Sequence, residues 1–142
     1  MRFLVSACLL GLHTRYDGGN ARNEAVLRLM EKHEPVPVCP EQLGGLPTPR
    51  LPCEIAGGQV KDAAGEDKTE AFERGADQAL QIYRLCRCDA AILKARSPSC
   101  GKGLVYDGSF SKKTAPGNGV LAARMMEAGI AVYTEDELDT LR

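Results

Sequence analysis

Three isolated cysteines of this chain each follow a short apolar run, and this placement limits the folds that suit the sequence. They are Cys8, Cys39 and Cys100, which follow the runs at residues 3–7, 36–38 and 90–94. Short apolar runs bounded by turn residues predict buried strands, and the carboxyl ends of parallel strands meet at one edge of a sheet. The sequence therefore predicts that three thiols converge, although each one taken singly also suits a small core residue.

Strand-like and helical segments alternate along the whole chain. The predicted strands lie at about residues 2–7, 36–38, 90–94 and 130–133, and the predicted helices at about 22–33, 67–87 and 118–128, with a last helix from 134. This alternation is typical of an α/β fold, here a three-layer, Rossmann-like arrangement whose mostly parallel sheet is flanked by helices. Gly57-Gly58 and Asp107-Gly108 predict two small β-hairpin insertions, the second formed by residues 104–106 and 109–110. The length fits one domain, residues 1–142.

Charge and hydropathy exclude several classes of protein. A formal net charge of −1 gives no support for binding a large nucleic acid, although a small base or nucleotide needs only a local site. No apolar run reaches the length of a membrane span, and residues 1–12 lack the pattern of a cleaved signal peptide. We therefore expect a cytoplasmic protein without a membrane partner, in which the six cysteines stay reduced and clustered cysteines indicate a metal site or catalysis.

The other cysteines are less suited to a shared site. Cys86 continues the apolar face of a predicted helix and Cys88 precedes a predicted strand, so both are interpreted as structural. Cys53 lies at the end of the proline-rich loop that begins at Cys39, which makes it the main rival ligand. This loop, residues 39–52, is too rich in glycine and proline for a helix, and long ordered loops are usually functional.

The spacing of the three thiols points to a particular kind of metal site. Separations of 31 and 61 residues differ from the close C-x₂-C pairs of structural zinc sites. Three thiolates can hold zinc or a [4Fe–4S] cluster, either of them with one position open, and spacing alone does not choose between the two. The open position would act as a Lewis acid toward a substrate atom.

Polar residues near the three cysteines are candidates for catalysis. Glu41 follows Cys39 closely and could activate water, or it could be a solvated carboxylate. Lys94 ends a buried strand, where it could hold an anionic group or polarise a carbonyl, or form an ion pair with Glu41 or Asp17. Ser97 and Ser99 could donate hydrogen bonds to substrate or cluster sulfurs, or they could cap a helix start or satisfy loop amides. Asp17 could serve the site or only hold its own turn.

Five stretches of the chain together resemble the bacterial thiouracil desulfurase family. They are SACLLG at 6–11, RYDGG at 15–19, VPVCPE at 36–41, GGLPTPR at 44–50 and ILKARSPSCG at 92–101. The resemblance implies a [4Fe–4S] cluster held by Cys8, Cys39 and Cys100 with one open iron. It also implies the removal of sulfur from thiolated uracil or 4-thiouridine without net redox chemistry, with Glu41 at the position of the catalytic acidic residue.

The main hypothesis is therefore a non-redox desulfurase that converts a small thiolated pyrimidine to uracil and sulfide. The thiocarbonyl sulfur would bind the open iron, water activated by Glu41 would attack the carbon, and Lys94 or Ser97 would hydrogen-bond the ring. The alternative is a non-catalytic iron–sulfur or zinc protein that stores or senses metal or sulfide. A cysteine-nucleophile enzyme has little support because the two histidines, His13 and His33, are poorly placed. The sequence does not choose between 2-thio and 4-thio substrates, between free base and nucleotide, or between oligomeric states.

Overall fold

The structure is a computed structural model that describes residues 1–141. Its strands are β1 (Arg2–Ser6), β2 (Glu34–Val38), β3 (Cys53–Ala56), β4 (Gln59–Asp62), β5 (Ala90–Leu93), β6 (Leu104–Tyr106), β7 (Thr114–Pro116) and β8 (Val132–Thr134). Its α-helices are α1 (Glu24–Met30), α2 (Pro40–Leu43), α3 (Thr69–Leu85) and α4 (Val120–Glu127), with short 3₁₀ helices at Ala7–Leu10 and Leu138–Leu141. No described helix is long and apolar enough to cross a membrane.

A four-stranded parallel sheet in the order β2-β1-β5-β8 forms the centre of the fold. Successive residues of a strand point to opposite faces, so Leu4 and Leu93 pack with α3 and α4 on one side of the sheet. Phe3, Val5 and Ile92 pack on the other side with α1. Helices on both faces of a parallel sheet confirm the predicted three-layer α/β fold.

Strand β2 begins earlier than the sequence predicts and contains two prolines. The helix expected to continue to residue 33 ends at Met30, and Pro35 and Pro37 lie inside the strand. Proline has no N–H for the ladder, so it belongs on an edge strand. Strand β2 is such an edge because it pairs only with β1.

The proline-rich loop does contain a helix, contrary to expectation. Pro40 occupies the first position of α2, where a backbone N–H has no partner within the helix in any case. Gly44 and Gly75 let α2 lie against α3 at backbone contact: a Cβ on Gly44 would meet the Ala71 carbonyl oxygen, and one on Gly75 would meet that of Pro40.

The two hairpins have different outcomes. Strands β3 and β4 pair around Gly57-Gly58 as predicted. In the second hairpin β6 pairs with β7, at Thr114–Pro116, so the predicted pairing with residues 109–110 is wrong. Phe110 and Lys112 instead form the tip, with left-handed φ values of 55° and 64°. The sequence marked the turn at Asp107-Gly108 but not the longer, non-glycine loop that follows it.

Candidate active site

A cavity of about 780 Å³ lies where the carboxyl ends of the parallel strands meet. The segments that follow β1, β2 and β5 form one part of its wall, and the two hairpins form another. Because these segments are far apart in sequence, only the order of strands in the sheet brings them together.

All three cysteines singled out above line this cavity. Cys8 lies in the 3₁₀ helix that follows β1, Cys39 precedes α2 as its N-cap, and Cys100 is 3% exposed in the loop after β5. The pKa of Cys8 is raised to about 11 and that of Cys100 to about 12, mainly by burial and to a smaller extent by a charge on neighbouring Cys39. The three thiols therefore form one electrostatically coupled group.

Cys53 lines the same cavity but has different neighbours. It is buried beside Val60 and Phe72, and its thiol contacts the Leu51 carbonyl oxygen at 3.8 Å. Its pKa is raised to about 12, mainly by burial and then by the charges of Glu41 and Asp62. No other cysteine is among the causes of this shift. This arrangement favours Cys39 over Cys53 as a member of the coupled group.

Cys86 and Cys88 lie outside the cavity lining. Cys86 caps the C-terminus of α3, and Cys88 is buried in the core between that helix and the sheet. Both therefore occupy the structural positions that the helical pattern predicts.

Both carboxylate oxygens of Glu41 are held inside the cavity wall. Oε1 accepts a hydrogen bond from Arg50 Nε at 3.0 Å, and Oε2 accepts one from Ser99 Oγ at 3.2 Å. The Arg50 and Glu41 side chains are only 6% and 13% exposed. Arg50 also donates to the Thr14 carbonyl oxygen at 2.9 Å and lies 3.9 Å from Cys39 Sγ. Arg50, rather than Lys94, is thus the partner of Glu41.

Two serines form a hydrogen-bond chain whose direction is fixed by its first member. Ser97 Oγ accepts from the backbone N–H groups of Ser99 and Cys100, each at 3.1 Å, which occupies both of its lone pairs. Its own proton is therefore donated to Ser99 Oγ at 3.0 Å. The Ser99 proton is then available to Glu41 Oε2, so Ser99 is the serine that contacts this carboxylate.

Lys94 has a partner that differs from those expected, whereas Asp17 only holds its own turn. Lys94 lines the cavity, where its Nζ lies 2.8 Å from Glu135 Oε2 and donates to the Ala95 carbonyl oxygen at 3.3 Å. The expected ion pair of Lys94 with Glu41 or Asp17 is therefore wrong, because the loop after β8 supplies the carboxylate. Asp17 is not part of the lining; its Oδ1 accepts from the Gly19 N–H at 2.8 Å and holds its turn.

The hairpin side of the cavity was not found from the sequence. Glu54 of β3, Tyr106 of β6 and the tip residues Phe110 and Lys112 line it, together with Tyr16. No motif links Glu54 to residues 106–112, because they meet only through the packing of one hairpin on the other. This wall therefore combines a carboxylate and an ammonium group with the aromatic side chains.

The donor set fits an iron–sulfur cluster better than a single metal ion. Among residues 1–141, no three His, Cys, Asp or Glu side chains are close enough together to hold one ion. A cluster needs wider spacing, because each thiolate binds a different iron. The Ser6 hydroxyl donates to Cys100 Sγ, and this hydrogen bond partly offsets the effect of burial, which raises the pKa of this thiol.

Comparison with known proteins agrees with this geometry. The family model described as 2-thiouracil desulfurase matches residues 3–137. An uncharacterised protein of Bacillus subtilis, YbbK, is 43% identical over 97% of this chain and 98% of its own length. The solved structure of TudS, described as a [4Fe-4S]-dependent thiouracil desulfidase, superposes with a TM-score of 0.89 at 40% identity, covering 99% of this chain and 94% of the other.

Proposed function

Because the chain belongs to the 2-thiouracil desulfurase family, we propose that it is a [4Fe–4S]-dependent enzyme that removes sulfur from a thiolated pyrimidine. The convergence of Cys8, Cys39 and Cys100 on a cavity that also holds the Glu41 carboxylate carries this proposal. The reaction is a hydrolysis: water and the thiocarbonyl compound give the carbonyl compound and hydrogen sulfide, with no change in oxidation state.

Cys8, Cys39 and Cys100 are the residues that would hold the cluster. When bound, the cluster supplies an iron without a protein ligand, a soft Lewis acid that suits a thiocarbonyl sulfur. Each of the three thiols must lose its proton for this purpose, and the Ser6 hydroxyl beside Cys100 and the Arg50 guanidinium beside Cys39 stabilise the resulting thiolates.

Glu41 is the general base in this proposal. Arg50 fixes one of its oxygens, while Ser99 contacts the other at the cavity wall. A water molecule beside Oε2 would lose a proton to Glu41 as it attacks the thiocarbonyl carbon. Assistance of this kind is typically worth about 10²–10⁴ in rate.

Lys94 supplies a donor to the substrate, whereas Ser97 acts through Ser99. An ammonium group has three N–H donors, and Glu135 and Ala95 take two of those of Lys94. The third is available to the exocyclic carbonyl oxygen of the pyrimidine. Because the Ser97 proton is committed to Ser99, Ser97 orients its neighbour rather than the substrate. Asp17 has no role in this proposal.

The cysteines also carry the proposed location. All six are free thiols in the described part of the chain, including the cavity residues that a cluster requires reduced. We place the protein in the cytoplasm for this reason, with a small thiolated pyrimidine as its partner.

Sulfide release is the direct test. Protein reconstituted with iron and sulfide without oxygen should release one sulfide for each 2- or 4-thiouracil converted to uracil, with no added reductant. A non-catalytic cluster protein would keep full iron content and release none, and that result would overturn the proposal. Zinc-loaded protein of equal activity would overturn the choice of cofactor.

A further inference from the structure

Glu54 is a buried carboxylate on the cavity wall that the proposed reaction leaves without a role. The residue is 8% exposed and lies in β3, directly after Cys53. Its Oε1 accepts two backbone hydrogen bonds from the second hairpin, from Gly108 N at 3.0 Å and from Phe110 N at 3.1 Å. No cation forms an ion pair with it within residues 1–141, so these two N–H groups hold the carboxylate.

The second oxygen of this carboxylate is open to the cavity. Oε2 accepts no hydrogen bond from residues 1–141. Every fully buried side-chain oxygen of the described structure has a hydrogen-bond partner, so Oε2 is not one of the fully buried atoms. Oε2 therefore has exposed surface, and Glu54 is one of the residues that line the cavity. Because the two backbone hydrogen bonds to Oε1 fix the carboxylate, Oε2 is held in one orientation before any ligand binds.

Close packing of the two hairpins fixes the position of this acceptor. A Cβ on Gly108 would lie 2.7 Å from the Ala56 Cβ and 2.9 Å from the Ile55 carbonyl oxygen, so the second hairpin lies directly on β3. Tyr106 and Phe110 line the cavity from the same hairpin, so aromatic side chains share this part of the lining with Glu54. A flat heterocycle with an N–H at its edge matches this combination of surfaces.

We propose that Glu54 Oε2 accepts the N3–H hydrogen bond of the thiolated pyrimidine and so selects substrates that carry this proton. The inference rests on the proposed function, which supplies the ring. N3 lies between C2 and C4, so the same contact suits a ring with sulfur at either carbon. The N1 position carries no hydrogen bond in this arrangement and is free to bear a substituent.

Glu54→Gln separates binding to the ring from support of the hairpin. The amide oxygen of glutamine can still accept the hydrogen bonds from the Gly108 and Phe110 N–H groups. The NH₂ group of the glutamine then takes the place of Oε2, so two donors, this NH₂ and the N3–H of the substrate, face each other. We expect the KM for 4-thiouracil to rise about tenfold to hundredfold, the size of one lost hydrogen bond to a charged group. The turnover number and the iron content should stay near those of the unmodified protein.

Asp62→Asn is the matched control. Asp62 is also a buried carboxylate of the first hairpin, and its Oδ1 likewise accepts two backbone hydrogen bonds, from Ala64 and Glu66 at 2.9 Å each. It does not line the cavity. The exchange should leave KM unchanged, and an equal rise in both variants would assign the effect to the hairpin and overturn the proposal.

A substrate analogue tests the same contact without any mutation. N3-methyl-4-thiouracil lacks the proton, so wild-type protein should prefer 4-thiouracil by about tenfold to hundredfold. Glu54→Gln should lose most of this preference. Equal KM values for the two compounds with wild-type protein would overturn the proposal even if the Glu54→Gln protein failed to fold.

Binding of the product keeps this inference distinct from the proposed function. Calorimetry on cluster-loaded protein should show that uracil binds more tightly than N3-methyluracil by the same factor. Selective binding without sulfide release would overturn the proposed function and leave the Glu54 contact standing. Sulfide release without selectivity would do the reverse.

Discussion

At the scale of single residues, the three coupled thiols are the part of the site that patterns in the sequence reach most directly. Each follows an apolar run that forms a strand, and the carboxyl ends of parallel strands lie at the same edge of the sheet. The partners of the charged residues are a different matter. Lys94 meets Glu135, 41 positions later, because β8 lies beside β5 in the sheet. No local sequence pattern predicts that these two strands are neighbours.

Replacing each thiol with alanine distinguishes ligands from neighbours. Cys8→Ala, Cys39→Ala and Cys100→Ala should each fail to assemble a stable cluster, because one iron would lose its protein ligand. Cys53→Ala is the control from the same cavity and should keep the cluster, since Cys53 lies among Glu41, Asp62 and Phe72 rather than among the other thiols. Iron and acid-labile sulfide per chain measure the result. Loss in Cys53→Ala with retention in Cys39→Ala would reassign the second ligand.

Glu41→Gln should separate chemistry from cluster binding. Glutamine keeps an oxygen for Arg50 but cannot take a proton from water, so the single-turnover rate of sulfide release should fall about 10²–10⁴-fold. Arg50 is 6% exposed and would lose its charged partner. We therefore also expect lower stability, up to about 3–5 kcal/mol.

Arg50→Lys serves as the comparison for this experiment. It keeps the positive charge beside Glu41 but not the fork that also reaches Thr14, so it should lose less activity than Glu41→Gln. The rate is measured without oxygen on protein of verified iron content. A near-normal rate in Glu41→Gln would exclude this residue as the base.

At the scale of elements, the α2–α3 contact shows what composition alone does not predict. Glycine and proline between residues 39 and 52 predict a loop, yet Pro40 starts a helix and Gly44 lets it reach α3. The reason lies in α3, where Gly75, 35 residues after Pro40, leaves space for the backbone of α2. Paired glycines of this kind are informative only once the two segments are known to be neighbours.

Gly75→Ala should therefore damage the site from a distance. The added methyl group meets the Pro40 carbonyl oxygen, so α2 must move away from α3 and take Cys39 and Glu41 with it. Overpacking of this kind costs about 1–3 kcal/mol. Iron content should fall along with the urea midpoint of the apoprotein. Gln78→Ala, at an exposed position of the same helix, should change neither quantity. Normal iron content in Gly75→Ala would show that α2 does not position the ligand.

At the scale of the whole molecule, the four-stranded sheet and its two helical layers follow from the alternation of apolar runs and helical periods. The placement of the hairpins over the edge of the sheet does not, because it depends on contacts such as Gly108 against Ala56. The wall that carries Cys8, Cys39 and Cys100 was thus predictable from the sequence, whereas the wall formed by the hairpins was not. Sequence motifs mark the proposed cofactor ligands more clearly than the residues proposed to select the substrate.

The cluster should also act on the stability of the entire fold. The three proposed ligands lie at the ends of β1, β2 and β5, so binding would join segments that the sheet alone otherwise connects. Anything that binds the folded state alone stabilises it, and a chain of this size gains roughly 3–5 °C in melting temperature for each kcal/mol. Hydrogen exchange should slow most at residues 7–16, 39–52 and 94–103 on cluster loading. The sheet interior should be protected in both forms, and Cys100→Ala should exchange like the apoprotein even after reconstitution. Uniform slowing along the chain, or none, would show that the cluster is not held between these three strand ends.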